Sequence, residues 1–252
     1  LIPEETLFIL VHDAWLGAWS WDKVAEWLAG RGWNVAPLDL PGHGVYQLPE
    51  ERLKNLSLRH YAATVTGFAR ANPDIPKLVL VGHGTGGPVI QLAAEQLGAR
   101  VAGLVFVGAY ILQDGESILG QMPPEVAEIF TRLADNRPDH RIDLKLLPDF
   151  WRYNLLNDDP LHASELLARL TPEPATPLAE IVQFKTFFQQ QLPCAYLSFN
   201  EDMSLPPGDF YPRMPAKLGK YHHLNINAGH EGILTKPREV AESLVLLATQ
   251  MF

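Results

Sequence analysis

Lys77-Leu78-Val79-Leu80-Val81-Gly82-His83-Gly84-Thr85-Gly86-Gly87-Pro88-Val89-Ile90 runs from a continuous apolar stretch, through a glycine-crowded turn, into a helix start with Ile90, Ala93 and Leu97 on one face. A buried strand, a sharp turn and a helix in that order form a nucleophile elbow. The flanking glycines let the chain fold back, so that the central side chain stands strained above the sheet. Here the centre is Gly84, which has no side chain to present. Thr85 is a poor substitute, because centring the turn on it puts His83 where the small Gly82 fits. Its expected contribution is a backbone N–H.

The same alternation extends to both sides of the elbow. Thr6 to His12 and Asn34 to Leu38 read as strands, separated by a helix from Trp21 to Gly30 with Val24, Trp27 and Leu28 at helical spacing. Ser57 is placed to cap a helix whose apolar face is Leu58, Tyr61, Ala62, Val65, Phe68 and Ala69. Val101 to Val107 is a fourth strand, and Cys194 to Phe199 and Tyr221 to Ile226 complete six before a last helix opened by Pro237. Strands alternating with helices predict a mainly parallel sheet flanked by helices. Between Ile111 and Gln191 the rhythm breaks into proline, aromatic residues and helical patterning at Glu125 to Leu133 and Leu161 to Leu170, with no comparable strand. The expected organisation is a core of residues 1–110 and 192–252, with 111–191 a helical cap over it.

A formal net charge of -9 and a pI near 5.4 argue against a nucleic-acid surface, which carries a basic footprint. The expected partner is a small apolar, aryl- or acyl-type molecule, with no cofactor; the sequence leaves a homodimer open. No apolar run reaches transmembrane length, and the lone Cys194 lies in a strand as a small buried hydrophobe. With no basic-then-apolar leader at the amino terminus and no disulfide, the expected location is the cytoplasm.

Ligands of open parallel sheets sit beyond the carboxyl ends of the strands. Those ends carry His12-Asp13-Ala14-Trp15, Gly84-Thr85, Tyr110, Asn200-Glu201-Asp202 and Asn227-Ala228-Gly229-His230. An Asp followed by a His one strand later matches the chain order of a triad, so Asp202 is expected to orient His230. Asp13 is a candidate for chemistry or for capping a turn. His12 is expected to bond beneath the site, and His43 to be a solvated loop residue. His222 and His223 are adjacent on a strand and point to opposite faces, so no metal motif is present. Trp15, Tyr110, Phe150, Trp151 and Tyr153 are candidate pocket walls, with weaker support for Met122 and Phe130.

In Val11-His12-Asp13-Ala14-Trp15-Leu16-Gly17-Ala18-Trp19, Pro41-Gly42-His43-Gly44 and Gly82-His83-Gly84-Thr85-Gly86-Gly87, the chain resembles the α/β-hydrolase superfamily. Asp114-Gly115-Glu116-Ser117, Leu170-Thr171-Pro172-Glu173-Pro174, Glu201-Asp202 with Leu205-Pro206-Pro207, and Gly229-His230-Glu231 extend the likeness to the branch of methylesterases and hydroxynitrile lyases. The resemblance implies His230 as general base, Asp202 as its partner, and the backbone N–H groups of Ala14 and Thr85 as oxyanion donors. The sequence departs from that branch twice. Gly84 stands at the serine position, and Asp13 replaces the glycine of a His-Gly pair, placing a carboxylate where an oxyanion would develop. Both departures resemble the non-hydrolytic N-myc downstream-regulated proteins. Hydroxynitrile lyases of the branch keep the serine and carry Lys where Glu231 stands, which argues against cyanohydrin cleavage.

Three functions follow as expectations. The first is an enzyme acting on a small carbonyl-, ester- or hydroxyl-bearing molecule by acid–base chemistry of His230 and Asp202, with the vacated space at Gly84 admitting substrate or water; lyase, isomerase, cyclase and cofactor-free oxygenase steps all fit. The second is a catalytically silent ligand-binding or interaction protein. The third is a carboxylesterase whose serine was replaced by Gly84.

Overall fold

The computed structural model describes residues 2–251. Six strands form one parallel sheet in the order β2-β1-β3-β4-β7-β8. They are β1 (Thr6–Val11), β2 (Asn34–Leu38), β3 (Lys77–His83), β4 (Val101–Val107), β7 (Cys194–Phe199) and β8 (His222–Ile226). The four inner strands are continuous apolar runs because helices cover both faces, whereas the edge strands β2 and β8 carry Asn34, His222 and Asn225 and are partly exposed. Phe8, Ile9, Leu10 and Val11 are fully buried, each worth roughly 1.5–3 kcal/mol relative to an exposed position.

The helices that return the chain are those the sequence marks. Asp22–Ala29 buries Val24 and Leu28, and Leu58–Ala71 is capped by the Ser57 hydroxyl, which accepts from the His60 N–H. Gly86–Leu97 is buried over most of its length. The segment between β4 and β7 carries the helices Pro124–Asp135 and Ala163–Arg169. It also holds an antiparallel pair that the sequence reading missed, β5 (Arg141–Ile142) with β6 (Glu173–Pro174); two residues per strand are too few for an alternation to register.

The sheet order places the site. From β1 the chain goes to one side for β2 and returns to the other for β3, so the loops leaving β1 and β3 diverge and open a crevice. The register pairs Val11 with Gly82. Two residues beyond that pair, in the loops that leave the two strands, Asp13 therefore stands beside Gly84. The close return of the elbow helix requires Gly82, since a Cβ there would lie 2.6 Å from the Gly86 carbonyl oxygen. Among the described residues no helix is long and apolar enough to cross a membrane.

Candidate active site

Gly84 forms the tip of the turn between β3 and the helix Gly86–Leu97, with φ of 50°. The space beside it is filled. A Cβ built on Gly84 would fall inside the Asp13 carboxylate, which corrects the expectation that this space admits substrate or water. Asp13 Oδ1 accepts from the Ala14 N–H at 2.7 Å and from the Thr85 N–H at 2.6 Å, and Oδ2 accepts from His230 Nε2 at 2.9 Å. The two backbone donors expected for an oxyanion are therefore directed at a side-chain carboxylate of the same chain. Thr85 begins the elbow helix, so its N–H and the helix dipole both favour an anion there.

On its other side, His230 Nδ1 donates to Asp202 Oδ2 at 2.7 Å. The Ser204 hydroxyl donates to Asp202 Oδ1 at 2.5 Å and lies 3.1 Å from His230 Nδ1. The imidazole thus has a carboxylate on each ring nitrogen and is 2% exposed. Burial alone would lower its pKa, but Asp202 and Asp13 raise it well above 6.5. Burial likewise opposes ionisation of Asp13 and Asp202, yet His230 holds both below the usual carboxylate range. The array at neutral pH is carboxylate, imidazolium, carboxylate. This revises the expectation of a free base: His230 becomes one only when Asp13 gives up its charge.

Two more histidines support the array in neutral form. His12 Nδ1 donates to the Asp13 carbonyl while Nε2 accepts from the Leu40 N–H, beneath the site as expected; burial, then His43, lowers its pKa to about 3. His83 donates through Nε2 to the His230 carbonyl, and burial, then His230, lowers it to about 4. Glu231 is buried beside the array, and desolvation pushes its carboxyl up to about 8. Asp13, His83 and His230 offer ligand atoms within 4.8 Å of one another and are the described residues that could hold a cation. Asp13 is already engaged by two N–H groups and by His230.

A small cavity of about 30 Å³ adjoins Asp13 and His230. Its walls include Trp15, Tyr110, Met122, Phe130, Phe150 and Phe210. Two of the expected walls fall elsewhere. Trp151 is buried with its indole N–H on the Ala163 carbonyl, and Tyr153 is 59% exposed, because the helical turn they share directs them to opposite sides. Phe210, which stacks on His230 with centroids 5.3 Å apart, had no sequence signal. Ser204 had one in its spacing from Asp202.

His43 is buried, correcting its expected place in solvent. Its Nε2 lies 2.7 Å from Glu173 Oε2, which also accepts the Trp15 N–H at 3.0 Å. Trp15 has a positive φ of 62° and donates its indole N–H to the Ile142 carbonyl at 2.9 Å. Glu173 therefore ties the segment between β4 and β7 to the backbone next to Ala14. Glu173→Gln is expected to lower stability by about 1–3 kcal/mol through the weakened buried contacts, measurable by urea unfolding; no change would remove Glu173 from this role.

A family model described as "Alpha/beta hydrolase family" matches residues 8–243. Methylesterase 7 of Arabidopsis thaliana is 28% identical, over 96% of this chain and 95% of its own length. Alpha-hydroxynitrile lyase of the same plant is 26% identical, with 96% of each chain covered. Among solved structures, an extracellular alpha/beta-hydrolase from a Paenibacillus species, described as sharing structural and functional homology with tobacco Salicylic Acid Binding Protein 2, superposes with a TM-score of 0.88 at 29% identity, covering 96% of this chain and 98% of that one. With a six-stranded parallel sheet, an elbow after β3 and a matching model over most of its length, the chain belongs to the alpha/beta hydrolase family.

Proposed function

We propose that this protein is an enzyme that acts on a small, largely apolar molecule without a serine nucleophile, through acid–base chemistry of Asp13, His230 and Asp202. In this reading Gly84 stands at the family's serine position, and residues 111–191 form a cap over the core of 1–110 and 192–252. The observation that carries it is the Asp13 carboxylate, which takes both backbone donors and His230 at once. Such a site has no serine to acylate, but it keeps an acid of controlled charge, its orienting carboxylate and an apolar cavity. The methylesterase and hydroxynitrile lyase relatives support an ester-, carbonyl- or hydroxyl-bearing substrate class. An esterase that merely lost its serine would have no need of a carboxylate in its oxyanion site, and Asp13 disfavours that reading.

His230→Gln is expected to lower turnover by about 100- to 10,000-fold with the fold intact. Steady-state rates beside a circular-dichroism spectrum would check this, and unchanged turnover would sink the reading. A ligand-binding protein without chemistry is favoured by the same filled donor pair. It predicts saturable binding by calorimetry with no His230-dependent turnover of any ligand bound.

A further inference from the structure

We infer that Ser198 is a nucleophile in a second site, away from the elbow, and that it takes the acyl group of a small neutral activated ester with His223 as its base. Register brings the pair together. Ser198 on β7 is the partner of Asn225 on β8, and Tyr196 is the partner of His223. Residues two apart on a strand share a face, so Tyr196, Ser198, His223 and Asn225 form one polar patch on the last two strands of the sheet.

The hydrogen bonds give the hydroxyl a direction. Ser198 Oγ lies 2.8 Å from His223 Nε2 and accepts from Asn225 Nδ2 at 2.9 Å. A hydroxyl has one proton to donate, and the other acceptor in reach, the Leu224 carbonyl, is 3.5 Å away. The proton therefore goes to His223 Nε2, and the imidazole keeps its own proton on Nδ1. Burial lowers the His223 pKa, which keeps the ring neutral and able to accept. Tyr211 stacks on the imidazole with centroids 4.1 Å apart and planes at 7°, fixing the ring against Ser198. A serine aimed at a neutral, held histidine is the arrangement that activates a hydroxyl.

Ser198 also has a space to act in. It lines a cavity of about 280 Å³ with Asn200, Asp202, Tyr211 and Asn225, against about 30 Å³ beside Asp13 and His230. Tyr211 is 39% exposed and Asn225 is exposed, so the cavity reaches solvent although Ser198 itself is 3% exposed. The ionised Asp202 in the wall favours a neutral acyl donor. As Oγ adds to the carbonyl carbon, the hydroxyl proton passes to His223 Nε2 and an electron pair to the carbonyl oxygen, to which Asn225 offers the N–H that Ser198 does not use. Collapse breaks the bond to the leaving aryl oxygen, which departs as a phenol with the proton from His223. One side-chain amide supports an oxyanion less than a backbone pair would, so the donor must carry a stable leaving anion. Serine alkoxide leaves less readily than phenolate, so the new ester persists and each chain takes one acyl group.

The test is treatment of the protein with 4-nitrophenyl acetate, followed by intact mass measurement and peptide mapping. The expected result is one acetyl group per chain, mapped to Ser198 and absent from Ser198→Ala. His223→Gln keeps an amide beside the hydroxyl but supplies no base, and is expected to slow acetylation of Ser198 at least about 100-fold with an unchanged circular-dichroism spectrum. Should Ser198→Ala fail to fold, the mapped position and the His223→Gln rate decide the matter. Acetyl groups confined to lysine or tyrosine side chains of the folded protein would overturn the nucleophile. Equal rates at Ser198 with and without the imidazole would overturn the base.

Discussion

Gly84→Ser alone is expected to produce no esterase, whereas Gly84→Ser combined with Asp13→Gly is expected to hydrolyse activated aryl esters at least about 100-fold faster than either single variant. The single substitution fails for two reasons. The new Cβ and hydroxyl would occupy the Asp13 carboxylate, at a backbone φ of 50°, and overpacking of this kind costs about 1–3 kcal/mol. Even if the loop yielded, the backbone N–H groups of Ala14 and Thr85 would remain bonded to an ionised carboxylate, and His230 would remain protonated. Removing the Asp13 side chain reverses each obstacle. Ala14 N–H and Thr85 N–H are released toward a substrate oxygen, His230 loses one of two carboxylates and approaches a usable base, and Asp202 still orients it. One donor of this type is worth about 100- to 1,000-fold in rate, which sets the scale of the gain. Initial rates on nitrophenyl esters for both single variants and the double variant decide it. A serine variant as active as the double would mean that the carboxylate does not block the site.

Stability is expected to peak near pH 6.5 and to fall more steeply on the alkaline side. Above that pH the unfolded chain carries a neutral histidine and an ionised glutamate where the folded chain holds two protons, on His230 and on Glu231, whose carboxyl is pushed up to about 8. The raised His230 pKa contributes stability that is complete below 6.5 and is lost as pH rises through the folded value. Glu231 acts in the same direction, because its buried acid must ionise as the pH approaches 8. Below 6.5 the sign reverses. His12 and His83 are neutral when folded, with values lowered to about 3 and about 4, so unfolding takes up two protons there, with a smaller uptake of the same sign at the partly exposed His223, which burial lowers, while Glu231 releases one down to its ordinary 4.5. One net proton corresponds to roughly 1.4 kcal/mol per pH unit, giving about that slope on the acid side and roughly twice it on the alkaline side. Asp13 and Asp202, held low, keep their contribution above about 3.8 and lose it only in stronger acid. Urea unfolding between pH 5 and pH 8 measures the profile, and Glu231→Gln should roughly halve the alkaline slope. A flat profile across that range would contradict the assigned protonation states.

Both expectations depend on groups whose meaning changed between sequence and structure. The four inner strands were legible because apolar runs of six or seven residues report burial locally, and the short edge strands reported their own exposure through polar residues. Asp202 and His230 were legible from chain order, since each follows a strand and parallel strands deliver their loops to one end of the sheet. His43 was misplaced because a Pro-Gly-His-Gly turn looks solvated until Glu173, 130 residues later, returns to pair with it. Trp151 and Tyr153 were grouped by proximity in sequence, although their facing depends on the local helical turn.

By itself, then, the sequence determined the alternating architecture, the glycine-centred elbow, and the acid and histidine that meet above it, because those depend on periodicity and on the order of residues along the chain. Only the tertiary structure decided that Asp13 fills the space beside Gly84 and turns His230 into a buried cation between two carboxylates. Asp13 and Thr85 are 72 residues apart. Their meeting is set by the β1–β3 register, which pairs Val11 with Gly82, and a registration between distant strands leaves no trace in the periodicity of either one.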